Sequence, residues 1–288
     1  MKYGRIIKLI GGQYTVLTDQ NERLHVKPRG LFRHHAVSPK VGDLVTVEDT
    51  LITAVEPRKN DLERPPIANV DQAILIHAAR EPEFSFNLLD RFLIRISMAN
   101  VEAVIVVTKI DLLNEDELVA LKEKLAYYAQ YFDVHYTSVR EPASLQAMEK
   151  LLVDKVSVFA GQTGAGKSSL LNAFDIRLAI EVGEISKALG RGRHTTRHVE
   201  LLEVYGGLTA DTPGFSKLDF TDQDIDNLAE HYPDFFARSH QCRFRGCKHL
   251  NEPGCAVKAD LEAGKILRER YENYKLFHEE ISQQKKKY

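Results

Sequence analysis

The stretch VSVFAGQTGAGKSSLLNAF, residues 156–174, decides the reading of the whole chain. VSVFAG is a short apolar run that reads as a strand covered on both faces, and KSSLLNAF reads as the helix that follows it. The turn between them, GQTGAGKS (161–168), satisfies G-x-x-x-x-G-K-[ST], the spacing of a phosphate-binding loop. Gly161, Gly164 and Gly166 let backbone N–H groups turn inward beside Gln162, Thr163 and Ala165. The helix N-terminus adds partial positive charge. Lys167 supplies a point charge for the β and γ oxygens of a nucleotide, Ser168 a hydroxyl for Mg²⁺, and Ser169 completes the run.

Toward the C-terminus, the short strand GGLTA (206–210) leads into Asp211-Thr212-Pro213-Gly214. Behind a phosphate loop, D-x-x-G places Asp211 for a magnesium-bound water and Gly214 where its N–H senses a γ-phosphate. Between the two motifs lies KALGRGRHTTRH (187–198), with Lys187, Arg191, Arg193 and Arg197 and no acid. It reads as a loop ordered by triphosphate, in which either Thr195 or Thr196 closes over the metal.

Toward the N-terminus, VEAVIVVTKID (101–111) is an apolar strand ending in Thr108-Lys109-Ile110-Asp111. A carboxylate there accepts from both N1–H and the 2-amino group of guanine, with the lysine stem over the ring. Adenine has neither donor and would leave the carboxylate unpaired, so the motif selects GTP over ATP. Ser138, in YTSV at the end of the next strand, is a candidate contact to the guanine oxygen.

The remainder frames this core. The chain has 288 residues, 43% hydrophobic and 28% charged, which suits about two or three folded domains and excludes wholesale disorder. A net charge of −2 removes any argument for nucleic-acid binding by bulk positive charge. The apolar runs are too short to span a bilayer, and Lys8 interrupts IIKLI near the start, so a cytoplasmic protein without membrane contact is expected. Residues 1–64 alternate in short glycine-punctuated runs, as in an oligonucleotide-binding-type β barrel, although other small barrels fit nearly as well. Within it Arg23, Lys27, Arg29, Arg33 and Lys40 lie with three histidines and no acid, as in a phosphate-contacting loop. The prolines of KNDLERPPIANVD (59–71) mark a boundary near Arg64. Strand-and-helix alternation follows over 65–220, predicting a mostly parallel sheet, with LLDRFLIRISMA and EDELVALKEKLAYYAQYF as helices. Residues 221–288 form a third unit, ending in one helix from about Val257 to the lysines at 285–287. Its cysteines are Cys242, Cys247 and Cys255, which with His249 give C-x₄-C-x-H-x₅-C. Three thiolates and one imidazole fill a tetrahedral site and leave no open position, so the expected zinc is structural. Arg238, Arg243, Arg245 and Lys248 crowd this knuckle, as on an RNA-facing surface.

The motif order is TKID, TSV, GQTGAGKS, HTT, DTPG, with the base-reading motif ahead of the phosphate loop, which implies a circular permutation of a P-loop GTPase domain. With the barrel before it and the Cys/His segment after it, the chain closely resembles the ribosome small-subunit-dependent, circularly permuted GTPase family. The resemblance rests on GRIIK, PRG, KNDLERPPIANVDQ, TKID, GQTGAGKSS, GRHTT, DTPGF and the Cys/His cluster, and so covers essentially the whole chain. It implies GTP hydrolysis on the small (30S) ribosomal subunit and its rRNA, late in that subunit's maturation. A monomer is expected. Two positions depart from the pattern: Thr108 stands where common GTPases place asparagine, and Arg197 where relatives often show a third threonine. Phe215 occupies the place of the water-orienting glutamine of common GTPases, which predicts slow hydrolysis alone and leaves His194 as the in-chain candidate to position water. The direct passage from DTPGF into the tail suggests that Gly214 moves the zinc module. A nucleic-acid-dependent ATPase and a non-hydrolysing RNA-binding protein are the rival readings.

Overall fold

The structure is a computed structural model that describes every residue except 31–37, 64, 175–198, 211–214, 216–217 and 286–288. Glycine-marked alternation at the start becomes five strands: β1 (Lys2–Ile10), β2 (Gln13–Thr18), β3 (Arg23–Pro28), β4 (Leu44–Glu48) and β5 (Leu51–Val55). Alternate side chains turn inward, and Ile6, Val16, Val26, Val45, Val47 and Ile52 fill the middle. The order β1-β2-β3-β5-β4 closes on itself, with only the β3–β5 pair parallel. This is the five-stranded barrel of oligonucleotide-binding type, as expected. The hairpin β6 (Asp61–Glu63) and β7 (Pro66–Ala68) follows, its Leu62 and Ile67 buried in the same core.

The second layer is a six-stranded sheet in the order β10-β9-β8-β11-β13-β12. It comprises β8 (Gln72–Ala78), β9 (Glu102–Thr108), β10 (Asp133–Tyr136), β11 (Val156–Ala160), β12 (Leu201–Val204) and β13 (Gly207–Ala210). Five strands are parallel, and β12 is an antiparallel edge. Every residue of β8 and β11 is buried, the continuous apolar pattern of strands covered on both faces. The crossover helices are α1 (Phe86–Met98), α2 (Glu115–Tyr128), α3 (Pro142–Leu152) and α4 (Lys167–Phe174). Ser85 caps α1 by accepting from the Leu88 N–H, Asn114 and Glu117 form a reciprocal capping box on α2, and Pro142 opens α3.

Two differences from the sequence reading have local causes. LLEV carries no strand signal of its own, because four residues are too few to show alternation; it pairs with GLTA as a hairpin. The C-terminal helix is two helices, α6 (Ala256–Glu262) and α7 (Arg268–Lys285), preceded by α5 (Pro233–Ser239). Gly264 breaks it: at φ +70° its N–H donates to Leu261 O, while the Lys265 N–H donates to Asp260 O, which closes the first helix in a Schellman motif. Among the described residues no helix is long and apolar enough to cross a membrane.

One face of α1 packs on the sheet through Leu89, Phe92, Leu93 and Ile96, while Ile94 joins the C-terminal cluster of Leu228, Phe235, Tyr274 and Phe277. The joint is polar at its centre. Arg270 is buried between Asp90, which it contacts directly, and Asp234, at 3.1 Å from Nε. Tyr128 donates to Asp90 at 3.0 Å, Asn273 at 2.7 Å, and Tyr127 to Asp234 at 2.6 Å. Burial pushes the Asp90 carboxyl up to about 6, against the pull of Arg270. Removing one member leaves charge uncompensated in a dry interior, which is costlier than the pair's net worth. Arg270→Met is expected to lower the unfolding free energy by about 3–5 kcal/mol. Asp90→Asn, which leaves Asp234 for the arginine, should cost clearly less in the same denaturant titration, and equal losses would contradict this account.

Candidate functional site

Because β9, β8 and β11 run parallel and adjacent, their carboxyl ends open on one crevice. The phosphate-loop residues 161–168 leave β11 there and start α4 at Lys167, where the motif predicts. Gly161 has φ +131°, and a Cβ on it would stand 2.1 Å from the carbonyl oxygen of Ile76 on β8. Only glycine lets the loop approach the neighbouring strand so closely. Gly164 and Gly166 also have positive φ, +82° and +91°, which bends the loop into a concave run of backbone. Thr163, Gly164, Ser168 and Ser169 are exposed on its open side, while Ala165 is buried beneath. The Lys167 ammonium donates to the carbonyls of Gly161 at 2.5 Å and Gln162 at 2.8 Å, folded over its own loop, and burial lowers its pKa.

The TKID motif, distant in sequence, reaches this loop. Thr108 Oγ1 donates to Ala165 O at 2.6 Å, with His77 O at 3.3 Å. Lys109 takes φ +56°, which turns the chain into the 3₁₀ turn Ile110–Leu112 and brings its ammonium onto the Glu81 carbonyl. Asp111 then meets the end of β10: Ser138 Oγ donates to its Oδ1 at 2.6 Å, and Arg140 stands 3.4 Å from Oδ2. Ser138 is itself buried and accepts the Arg140 N–H at 3.1 Å. Phosphate loop, strand-end carboxylate and serine therefore line one crevice. His194, Thr195, Thr196, Asp211 and Gly214 lie outside the described residues.

The second site is built from the C-terminal module. The ligand atoms of Cys242, Cys247, His249 and Cys255 all lie within 4.8 Å of one another. His249 Nδ1 is 3.6 Å from Cys242 Sγ and 3.3 Å from Cys255 Sγ, so Nδ1 is the nitrogen that faces the sulfurs. A tetrahedral metal with bonds of about 2.0–2.3 Å spaces its ligand atoms by roughly 3.5–3.8 Å, so the donor set fits such an ion. Burial foremost, and after it the neighbouring thiols, push the Cys247 thiol up to about 12; three thiolates need a cation there. Glu252 fastens the knuckle, accepting from the N–H groups of Lys248, Leu250 and Asn251. Its basic residues are less uniform than the sequence suggests. Arg238 is paired with Asp260 and Lys248 with Asp226, acids from outside the knuckle, while Arg243 and Arg245 are exposed.

Residues 55–221 match the family model described as RsgA GTPase, and residues 3–52 that of the RsgA N-terminal domain. The chain belongs to the RsgA GTPase family. It is 47% identical to small ribosomal subunit biogenesis GTPase RsgA 2 of Oceanobacillus iheyensis and 46% identical to small ribosomal subunit biogenesis GTPase RsgA of a Geobacillus species, with 100% of both chains covered in each case. Among solved structures it is similar to YloQ, a circularly permuted GTPase, with a TM-score of 0.85 at 38% identity, covering 100% of this chain and 96% of that one. YjeQ from Thermotoga maritima also gives 0.85, at 35% identity over 97% and 98% of the two chains.

Some features of this RsgA-family site carry no sequence signature. Arg140 and the Glu81 carbonyl reach the crevice only through the fold. His77, on β8, is buried with no partner for Nε2 among the described residues, and burial, with Lys167 second, lowers its pKa to about 4, so the ring is neutral. The basic barrel segment is partly described: Arg23 is paired with Glu203 and Lys40 with Asp61. A strand-end threonine that ties two motifs together is testable directly. Thr108→Val keeps the volume but strands the Ala165 carbonyl, with an expected loss of about 1–3 kcal/mol in unfolding free energy. Thr108→Ser should recover most of it, and a valine variant of undiminished stability would show that the bond contributes nothing.

Proposed function

We propose that this chain hydrolyses GTP to GDP and phosphate, slowly by itself and faster when bound to the small ribosomal subunit and its rRNA, during late maturation of that subunit. Family membership and the names of its full-length relatives support the reading. The observation that carries it is the Thr108–Ala165 bond, which sets the strand end bearing Asp111 against the phosphate loop, with Ser138 on the carboxylate.

In this reading Asp111 accepts the two donors on guanine's edge, the Lys109 stem covers the ring, Ile110 sets the turn, and Ser138 orders the carboxylate and faces the guanine oxygen. Backbone N–H groups of Gly161, Gln162, Thr163, Gly164, Ala165 and Gly166 surround the phosphates. Lys167 exchanges its two loop carbonyls for the β and γ oxygens, and Ser168 and Ser169 lie at the helix start. Ser168, and Asp211 through water, would hold Mg²⁺, which would supply positive charge against the phosphate oxygens. Thr195 or Thr196 and Gly214 sense the γ-phosphate. Phe215 is buried in the core and cannot orient water, so His194 or the subunit supplies that function. Cys242, Cys247, His249 and Cys255 hold one structural Zn²⁺. The chain acts as a monomer divided at about residues 64 and 220. The short span from Phe215, in the GTPase core, to Phe220, in the C-terminal core, supports transmission from Gly214 to the zinc module.

Calorimetry with GDP, ADP and xanthosine diphosphate tests the base assignment. Asp111→Asn is expected to lose about 10²-fold or more in GDP affinity, the size of an unpaired buried polar group. Retained preference for guanine would reject the role. For the chemistry, phosphate release with small subunits present should exceed that of the chain alone by about 10²-fold or more, as partner completion does elsewhere, and Lys167→Ala should abolish it. No stimulation would overturn the ribosomal reading, and an unchanged single-turnover rate in His194→Ala would assign water positioning to the subunit.

A further inference from the structure

The loop that follows β8 is fastened along the base-reading motif. It leaves the sheet beside that motif, because the Ala79 N–H donates to the Thr108 carbonyl at 2.8 Å and extends the β8–β9 ladder by one residue. The next two residues reach opposite ends of one turn. Glu81, at φ +57°, offers the carbonyl that accepts the Lys109 ammonium, at the start of the 3₁₀ turn Ile110–Leu112. Arg80 Nη1 donates to the Leu112 carbonyl at 3.1 Å, at the end of it. Asp111 lies between the two. The Leu112 and Leu113 N–H groups are taken by the carbonyls of Lys109 and Ile110, but so short a turn leaves its last carbonyl without an internal partner. A guanidinium suits such a group, since a charge-assisted hydrogen bond is stronger than a neutral one.

The other arm of the same guanidinium is also engaged. Nη2 donates to Glu117 Oε1 at 2.6 Å, and Glu117 Oε2 accepts the Asn114 N–H at 3.0 Å in the capping box of α2. Arg80 therefore ties the turn bearing Asp111 to the first turn of α2. The loop and this helix leave between them a cleft of about 490 Å³, lined by Phe84, Leu121, Arg80 and Glu117, so a polar tie acts here where apolar packing acts elsewhere. An exposed ion pair alone would contribute little. This one differs because each partner also holds backbone, Arg80 the Leu112 carbonyl and Glu117 the Asn114 N–H.

We propose that Arg80 is a positioning residue for guanine recognition, holding the Ile110–Leu112 turn so that Asp111 meets both donors on the base edge. The inference rests on the GTP reading above and deepens its base assignment. Ser138 and Arg140 act on the carboxylate itself, at 2.6 Å and 3.4 Å, whereas Arg80 acts on the backbone that carries it. This role has a chemical signature. Inosine keeps N1–H and lacks the 2-amino group, so the ratio of GDP affinity to inosine diphosphate affinity measures how well the second donor reaches the carboxylate. Release of the turn at Leu112 lowers that ratio. Pyrophosphate, which has no base, reports the phosphate loop by itself.

Calorimetry on the full chain with GDP, inosine diphosphate, ADP and pyrophosphate, each with Mg²⁺, tests this. In Arg80→Ala, GDP affinity is expected to fall by about fivefold or more and the GDP-to-inosine ratio by about threefold or more, the size of one weakened hydrogen bond to a charged group. Pyrophosphate affinity should stay within about twofold of the parent, as for a site remote from the change. Arg80→Lys keeps the charge but reaches one acceptor rather than both, and should recover part of the ratio. If circular dichroism shows Arg80→Ala unfolded, Arg80→Gln carries the same test. An unchanged ratio in a folded variant overturns the proposal, as does an equal loss for GDP, inosine diphosphate and pyrophosphate, which is what a merely structural role would give. A parent that binds GDP and ADP alike overturns the base reading itself.

Discussion

A single hydroxyl joins the two halves of the candidate nucleotide crevice. Thr108 sits at the last position of a buried strand and donates to a carbonyl inside a loop that begins more than fifty residues later. It is the side-chain tie between the strand bearing the carboxylate and the loop shaped for phosphates. Its geometry depends on the parallel register of β9, β8 and β11, which brings the three strand ends level. That register depends in turn on continuous apolar strands with helices over both faces. Gly161 contributes from the other side, since any side chain there would push the loop off β8.

Around this crevice the two flanking modules are attached by different physics. The C-terminal module meets α1 through a buried arginine held between two carboxylates and ringed by tyrosines, an arrangement intolerant of partial loss and selective for one docking geometry. Among the described residues the barrel instead meets the edge strand through a backbone bridge at Lys8–Glu200, the ion pairs Lys8–Glu200 and Arg23–Glu203, and aliphatic side chains of the shared core. One contact is rigid and dry, the other narrow and bordered by open space.

Much of this was legible in the sequence because the deciding signals are local. The phosphate loop, its flanking strand and helix, the apolar β8 and β9, and the ligand spacing from Cys242 to Cys255 each sit in a short window with a known physical purpose. The motif order was enough to expect a permuted domain. What escaped was non-local or too short. β12 has four residues, and its partner gives it meaning. The break at Gly264 depends on a glycine taking positive φ at a helix end, which a tail rich in helix formers conceals. Arg270, Asp90 and Asp234 are ordinary charged residues until the fold buries them together. The basic look of the knuckle was misleading in part, because Asp260 and Asp226, which pair with Arg238 and Lys248, lie outside it in sequence.

The position of β11 in the chain has a consequence for how this protein is made. β8, β9 and β10 pair with one another and are all translated before β11, so the surface around Asp111 and Ser138 can assemble on the nascent polypeptide while the anion-binding loop is still inside the exit tunnel. In the unpermuted order that loop emerges first. Here vectorial synthesis brings β11 to a β8–β9–β10 surface already outside the tunnel, so the carboxylate side of the crevice precedes the phosphate-loop side, and β12 and β13 follow both.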